Sequence, residues 1–401
     1  MYDLIVVGGG PAGATCARRA ALGGLDVLLL DRSVYPRQKP CGGALSPRVS
    51  QTLDFDIAPV VDRDIRAIGI HTPSGRGFAV ARRGLTVNMV TRSRFDHYLL
   101  HMAEDAGVEV VQDAQVVGIE RTRDAMRVLC LGDSHRSHIL IGADGVNSIV
   151  ARATGIRHSW PSDRVGLCIS ADVPMDPSEI QRITMIPEEG NEPAMHIYFG
   201  ATSWGYAWCF PKRNNISIGV GCRMDRLTDL RREWTRFIGR LEADAGVEIS
   251  LPRTNVHRVP LGPPRWKLVT PRTMLVGDAA GLASPITGEG IFYGVSSGLL
   301  AADTAVETVK TRSLKLILTY EQKIWNLLKP EFDVLRFVAE KLYGSKRTLE
   351  TVCNVAAADQ IVRDLIVDLV IGAKPPQSVK NRLLKQMLIH HPLQAIKIGL
   401  G

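Results

Sequence analysis

Residues 2–32 read YDLIVVGGGPAGATCARRAALGGLDVLLLDR, and the reading of this stretch decides the fold. Tyr2 to Val7 is a short β-branched run of the buried-strand type, and Gly8, Gly10 and Gly13 follow it in G-x-G-x-x-G spacing. Gly8 permits the tight turn and Gly10 lets a pyrophosphate approach the backbone. Gly13 lets a helix from Pro11 to Gly23 pack on the strand with its first amides aimed at the phosphates. Leu25 to Leu30 makes a second strand, and Asp31 at its end is placed to accept from both ribose hydroxyls. A free 2′-hydroxyl suits NAD or FAD and disfavours a 2′-phosphate. Glycine spacing alone is weak, because glycines often serve turns; strand, helix, strand and acid in register make a dinucleotide site.

Beyond Arg32 lies a loop, Ser33 to Pro47, holding the run Pro40-Cys41-Gly42-Gly43-Ala44. Paired glycines beside a cysteine let backbone lie against a flat ligand, or simply make a surface loop. Strand-like alternation resumes over Ile65–Thr72 and Gly77–Ala81, and Arg92-Ser-Arg-Phe-Asp96 opens a helix running through Ala106. Asp113–Arg121 and Met126–Leu131 read as a hairpin, and Ile139–Ile141 as a short buried strand entering Gly142-Ala143-Asp144-Gly145, with a helix from Ser148. That acid and its glycines either line the dinucleotide or make a turn.

From Arg157 to Pro260 the pattern changes to longer strands, with a helix over Leu227–Gly246. Within it, Tyr206, Trp208 and Phe210 alternate onto one face of a strand, where they form either ordinary core or the wall of an apolar pocket. Met274–Val276 is a further buried strand ending in Gly277-Asp278-Ala279-Ala280-Gly281, and Pro285-Ile-Thr-Gly288-Glu289-Gly290 opens a helix running to about Lys310. Asp278 can hold a ribityl or ribose hydroxyl, and the amides near Gly290 and Ile291 can stabilise charge on a reduced ring. Glu289 reads as a helix-start acid. A second phosphate-and-ring element so far downstream does not fit a simple NAD dehydrogenase.

The segment from Leu314 is helical in pattern. From Lys374 onward Lys374, Lys380, Arg382, Lys385 and Lys397 meet no acidic residue, and Val379, Leu383, Leu384, Met387 and Leu388 gather on one side of a helix. Such an end either rests on an anionic membrane as a peripheral contact or docks on its own protein.

Four hundred and one residues, 45% of them hydrophobic, predict two intertwined domains. No apolar run reaches the roughly eighteen residues that span a bilayer, and the N-terminus enters a strand directly, so the expected location is cytoplasmic. Seven scattered cysteines form no C-x-x-C pair, which argues against a disulfide framework and against a zinc or other metal site. The net charge of +8 suits anionic lipid or an acidic electron donor; with no nucleic-acid motif beside it, no nucleic-acid partner is expected.

The three glycine elements near Gly8, Gly142 and Gly277 resemble the FAD-binding pattern of flavoproteins built like para-hydroxybenzoate hydroxylase. Pro40-Cys41-Gly42-Gly43, and Tyr206-x-Trp208-x-Phe210-Pro211 followed after seven residues by Gly219-x-Gly221, narrow this to the geranylgeranyl reductase family, which the chain resembles over roughly its first three hundred residues. The neighbouring families fit less well: aromatic hydroxylases commonly have His where Gly281 stands, and flavin halogenases need a lysine in a longer first motif and a Trp-x-Trp-x-Ile-Pro sequence.

The resemblance implies an α/β fold: a Rossmann-like FAD-binding domain, an inserted α+β antiparallel-sheet substrate domain and a C-terminal helical region. It divides the chain into 1–156 (with 48–90 partly in the substrate domain), 157–260, 261–312 and 313–401. FAD would lie on Gly8, Gly10, Ala12, Gly13, Asp31 and Arg32 at one end. Cys41, Gly42, Ala44, Arg92, Val116, Asp278, Gly288, Gly290 and Ile291 would hold the remainder. Tyr206, Trp208 and Phe210 would line a tunnel for a prenyl chain, with Cys41, Tyr206 and Trp208 at the reacting bond. Cys41 would be a proton source, a steric guide or a small packing residue. The implied reaction is saturation of carbon–carbon double bonds in a geranylgeranyl or polyprenyl chain, fed by NADPH or ferredoxin, since no second G-x-G-x-x-G provides a separate NADPH domain. The competing readings are a flavin monooxygenase of an aromatic or lipid and a flavin-carrying protein without turnover.

Overall fold

A computed structural model describes residues 1–82, 84, 86–186 and 192–399. Strand β1 (Tyr2–Val7), helix α1 (Pro11–Leu22) and strand β2 (Val27–Leu30) form where the opening stretch places them. β1 is central in a parallel sheet, with β2 and then Glu109–Val111 on one side and Asp133–Gly142 and then Thr273–Leu275 on the other. Every residue from Leu4 to Val7 and from Val27 to Leu30 is buried, as expected for strands covered on both faces. Gly8 takes φ +106°, open only to glycine, and a Cβ on Gly13 would collide with the Gly8 carbonyl.

The long helix Ile291–Thr311 returns from far downstream to lie across α1. A side chain on Gly298 would run into the Ala12 carbonyl, and a Cβ on Gly277 would stand 2.8 Å from Ala12 Cβ. Small residues on both partners bring the last glycine element onto the first, so the two sequence-distant motifs share one site.

A second sheet runs Asn255–Pro260, Val165–Pro174, Asn215–Arg223, Gly205–Pro211, Glu192–Phe199, Ala67–His71, Gly77–Ala81. Its pairs are antiparallel except for Glu192–Phe199 with Ala67–His71. One face, with Tyr198, Ala207 and Cys209, packs on Trp234 and Phe237 of the helix Leu230–Ala245. The opposite face, with Phe199, Trp208 and Phe210, joins the core that continues into the nucleotide sheet. Strand alternation puts the aromatic triplet on one face, and the packing of Trp234 and Phe237 on the other face turns it toward the cofactor half of the molecule.

Several expectations shift in detail. The strand read as Ile139–Ile141 is ten residues long, Asp133–Gly142, because its polar first half pairs with Met126–Cys130 as the third member of a meander. The helix Pro177–Thr184 was not foreseen; it is short and announced only by the Asp176 capping box. In the helix Pro376–His390, Val379 and Met387 are buried while Leu388 points outward, so those apolar residues do not share one side. Lys374 pairs with Asp368 at 2.6 Å, an acid just upstream of the basic segment.

Candidate active site

The ribose end of the cradle forms where β2 stops. The Asp31 carboxylate accepts from the Gly9 amide at 2.6 Å, the Ser33 amide at 2.8 Å and the Tyr35 hydroxyl at 3.2 Å. A carboxylate offers about four acceptor positions. Asp31 therefore keeps acceptor capacity for the ribose hydroxyls expected there. Val116 opens the strand beside it, tied in through the Ala114 amide on the Asp31 carbonyl at 2.8 Å, while Arg32 is exposed just past the strand end.

Gly10 begins α1 with open space before it: a Cβ there would meet nothing nearer than Arg37 Nη2, at 3.7 Å. Arg37 Nη1 is buried with no partner. A guanidinium that reaches the bare start of α1 through Nη2 and keeps Nη1 unpartnered is suited to a pyrophosphate, so these residues fit the group.

From that point a polar rail leads inward. Arg37 Nε donates to the Tyr35 hydroxyl at 3.1 Å and its Nη2 lies 2.9 Å from Asp96 Oδ2. Arg92 grips the same fully buried Asp96 with two bonds, of 2.7 and 2.8 Å, and its other side meets the Cys41 thiol. Burial works against the Arg92 charge, but Asp96 and Cys41 outweigh it and hold the guanidinium protonated more firmly than usual. Arg92, expected from the sequence on the flavin side, is held between Asp96 and the Cys41 thiol.

The ring end gathers residues from three distant segments. A Cβ on Gly290, the residue before the helix Ile291–Thr311, would be 3.1 Å from Asp278 Oδ1. Burial pushes the Asp278 carboxyl up, against the pull of Lys39 and Arg92. Glu289 Oε1 accepts the Phe292 amide at 2.8 Å, the helix-start role read from the sequence, and burial pushes its carboxyl up to about 7. Cys41 Sγ accepts from the Gly43 amide at 3.4 Å, and Ala44 begins a short strand paired with Met89.

Gly42 lies directly on the aromatic strand: a Cβ there would be 2.8 Å from Phe210 Cδ2 and 3.3 Å from Trp208 Nε1. Trp208 in turn lies over Gly219, where any side chain would overlap the indole. Its Nε1 donates to Ser217 Oγ at 3.4 Å, and Ser217 Oγ to the Cys41 carbonyl at the same distance. The Tyr206 hydroxyl bonds the Thr287 carbonyl, next to Gly288. Ring centroids follow at 5.8 Å from Tyr206 to Trp208 and 6.4 Å from Trp208 to Phe210.

Three contributors escaped the sequence reading. Arg37 and Lys39 sit in the same loop as Cys41, and two cations flanking Pro-Cys-Gly-Gly were a usable signal. His257, on an edge strand, carried none. Lys39 Nζ meets His257 Nε2; burial lowers Lys39 to about 8 and lowers His257, with Lys39 adding to the effect, to about 3. At neutral pH the pair is an ammonium donating to a neutral imidazole. Asp144 Oδ2 accepts the Ile149 and Val150 amides at 2.6 and 3.1 Å, its Oδ1 is buried without a partner, and Ala143 backs Gly8.

The fold and this cradle define a flavoprotein that binds FAD, and residues 1–327 match the family model for the FAD binding domain. Geranylgeranyl diphosphate reductase of Rhodobacter capsulatus is 30% identical, with 99% of this chain and 95% of the relative covered. Digeranylgeranylglycerophospholipid reductase 1 of Methanococcoides burtonii is also 30% identical, over 80% of this chain and 79% of its own. A solved geranylgeranyl bacteriochlorophyll reductase-like protein of Thermoplasma acidophilum superposes with a TM-score of 0.83 at 22% identity, covering 99% of this chain and 98% of its own. A flavin-dependent brominase shares the fold at a TM-score of 0.73 and 19% identity, covering 96% of this chain and 98% of its own. The chain belongs to the geranylgeranyl reductase family, and is a flavin-dependent oxidoreductase with FAD as its cofactor.

Proposed function

We propose that the protein saturates carbon–carbon double bonds of a geranylgeranyl or longer prenyl chain carried on a lipid or pigment precursor. The observation that carries this reading is the contact of the Tyr206-Trp208-Phe210 face with the Cys41–Gly43 loop and the Thr287–Gly290 turn, both at the ring end of the cradle. A prenyl chain offers almost no hydrogen bonds, and a wall of large rings holds it by area alone. The names of the two relatives agree on the chain and differ in what it is attached to.

Reduced FAD, when bound, supplies a hydride to one carbon of the alkene. The protein's own share is to orient, to keep water out and to deliver a proton. Trp208 and Phe210, 6% and 7% exposed, would shield a bound chain from water, and Tyr206 is pinned through Thr287 beside them. Cys41, beside Arg92, is the proposed proton source, and the Lys39 ammonium can resupply it. Arg37 and the α1 amides hold the pyrophosphate. NADPH or ferredoxin provides the electrons.

We further propose a peripheral membrane contact through the C-terminal helices, on the inner face of the membrane. Among the described residues no helix is long and apolar enough to cross one. Leu388, Ile389, Leu393 and Ile396 are 47–69% exposed on the last two helices, amid Lys380, Arg382, Lys385 and Lys397. Such a patch suits a substrate whose chain lies in the bilayer.

The test is anaerobic incubation of the dithionite-reduced protein with geranylgeranyl diphosphate and, separately, a geranylgeranyl lipid, read by mass. Products heavier by two hydrogens per reduced bond support the proposal. Oxygen-dependent gain of an oxygen atom, with no reduction under anaerobic conditions, makes the protein a monooxygenase instead.

A further inference from the structure

A second cleft, of about 170 Å³, opens where the nucleotide domain meets the edge of the second sheet. Helix Ile149–Ala153 contributes Arg152, the loop after it Arg157, His158 and Trp160, and the edge strand Asn255–Pro260 contributes Arg258. The cations here lean on neutral groups. Arg152 Nη1 donates to the Asn147 carbonyl at 2.8 Å, Arg258 Nη1 to Asn147 Oδ1 at 3.0 Å, and the Arg157 guanidinium stacks on the Trp160 ring with its carbon 3.7 Å from the centroid. Arg258 Nε is buried and unpartnered.

The acid that acts on Arg157 is Asp144, whose Oδ2 accepts two backbone amides and whose Oδ1 is buried without a partner. Burial, with Arg152 adding to it and Asp144 opposing, lowers Arg157 to about 10. Three guanidiniums that share the single Asp144 carboxylate repel one another, and a buried unpaired N–H costs stability unless something completes it. Stacking on an indole fixes one guanidinium plane and leaves its edge free, the arrangement suited to bidentate recognition of a phosphate.

We infer that this cleft is a binding site for a phosphate or diphosphate group, separate from the FAD cradle. Its position gives the binding a use. The Trp160 side chain is anchored through Nε1 on the Val146 carbonyl at 2.6 Å, and its Cη2 would be 2.8 Å from a Cβ on Gly281, which ends the turn bearing Asp278. An anion seated here is held one side chain away from the cofactor's ring segment. Two molecules consistent with the proposed reaction bring that chemistry: a phosphorylated nicotinamide donor, and a prenyl diphosphate substrate. That delivery role rests on the reductase reading, whereas the anion site does not.

Calorimetry on the FAD-loaded protein with two probes, 2′,5′-ADP and inorganic diphosphate, tests the inference. The native protein is expected to bind at least one of them, more weakly as salt rises. In Arg157→Gln/Arg258→Gln that binding weakens by at least about tenfold for each charge-assisted bond lost. Asn147→Asp keeps the hydrogen bond to Arg258 and the side-chain volume while adding a neutralising charge. It is expected to weaken the same probe by a similar factor, even if the double variant does not fold. Tighter binding of 2′,5′-ADP assigns the site to the donor, and tighter binding of diphosphate to the substrate head group. No binding of either probe by the native protein, or affinities unchanged in Asn147→Asp, overturns the inference. Because the readout is binding, it stands apart from the reductase proposal, which fails only if no prenyl double bond is reduced.

Discussion

Trp208→Ala separates a working wall from an ordinary core. The indole is 6% exposed, lies over Gly219 and touches the Gly42 position, with the Tyr206 and Phe210 rings tilted against it on either side. Its removal opens a cavity at the seam of the two sheets and costs about 3–5 kcal/mol of stability. That cost is common to both roles. The difference lies in what the bound chain then does: with the wall gone, a double bond is free to sit about an ångström or more from its productive position, which lowers turnover on the order of a hundredfold. FAD stays bound, because Gly8, Gly13, Arg37 and Asp278 are untouched. The assay counts saturated bonds per product by mass, normalised to flavin content. Gly219→Ala is the companion: its methyl displaces the indole without deleting it, at about 1–3 kcal/mol, and shifts the products in the same direction. Native rate and native product pattern in folded, FAD-loaded Trp208→Ala refute the wall.

Other outcomes follow from the same geometry. Gly10→Leu fills the space between α1 and Arg37 Nη2, and purified protein loses its yellow colour while its far-ultraviolet circular dichroism is kept. Glu289, pushed up to about 7 by burial, contributes stability that is present below its ordinary value of 4.5 and lost as pH rises through about 7. Glu289→Gln, neutral throughout, is therefore more stable than native above about pH 8, by up to about 3 kcal/mol, and equal to it in acid, as read by urea titration. Ile389→Glu/Leu393→Glu abolishes flotation with vesicles containing anionic lipid and leaves reduction of a water-soluble prenyl diphosphate in place.

The first cradle motif was legible because strand, turn, helix and acid are contiguous, so thirty-one residues carry their own context. The pairing of the Gly277 and Gly290 segment with that motif was legible only as composition; the small residues on Ile291–Thr311 that let it lie on α1 become meaningful once Gly298 is seen against Ala12. The direction of the Tyr206 strand could not be settled from its alternation, because both faces of its sheet are covered, one by Trp234 and Phe237 and the other by the cofactor half. Arg37, Lys39 and His257 were missed because their significance comes from burial and from meeting across the fold. His257 reaches Lys39 from more than two hundred residues away, a separation that no periodicity records. The ten-residue strand ending at Gly142 was shortened because its first half is polar, and cross-strand pairing with Met126–Cys130, not hydrophobicity, extends it.

The most direct test of the central claim is a crystal structure of the FAD-loaded protein with a bound prenyl diphosphate analogue. The account predicts the pyrophosphate between the α1 amides and Arg37, the isoalloxazine between Cys41 and the Asp278–Gly290 segment, and the prenyl chain in contact with Tyr206 and Trp208. A flavin seated elsewhere, or a chain that never touches those rings, contradicts it.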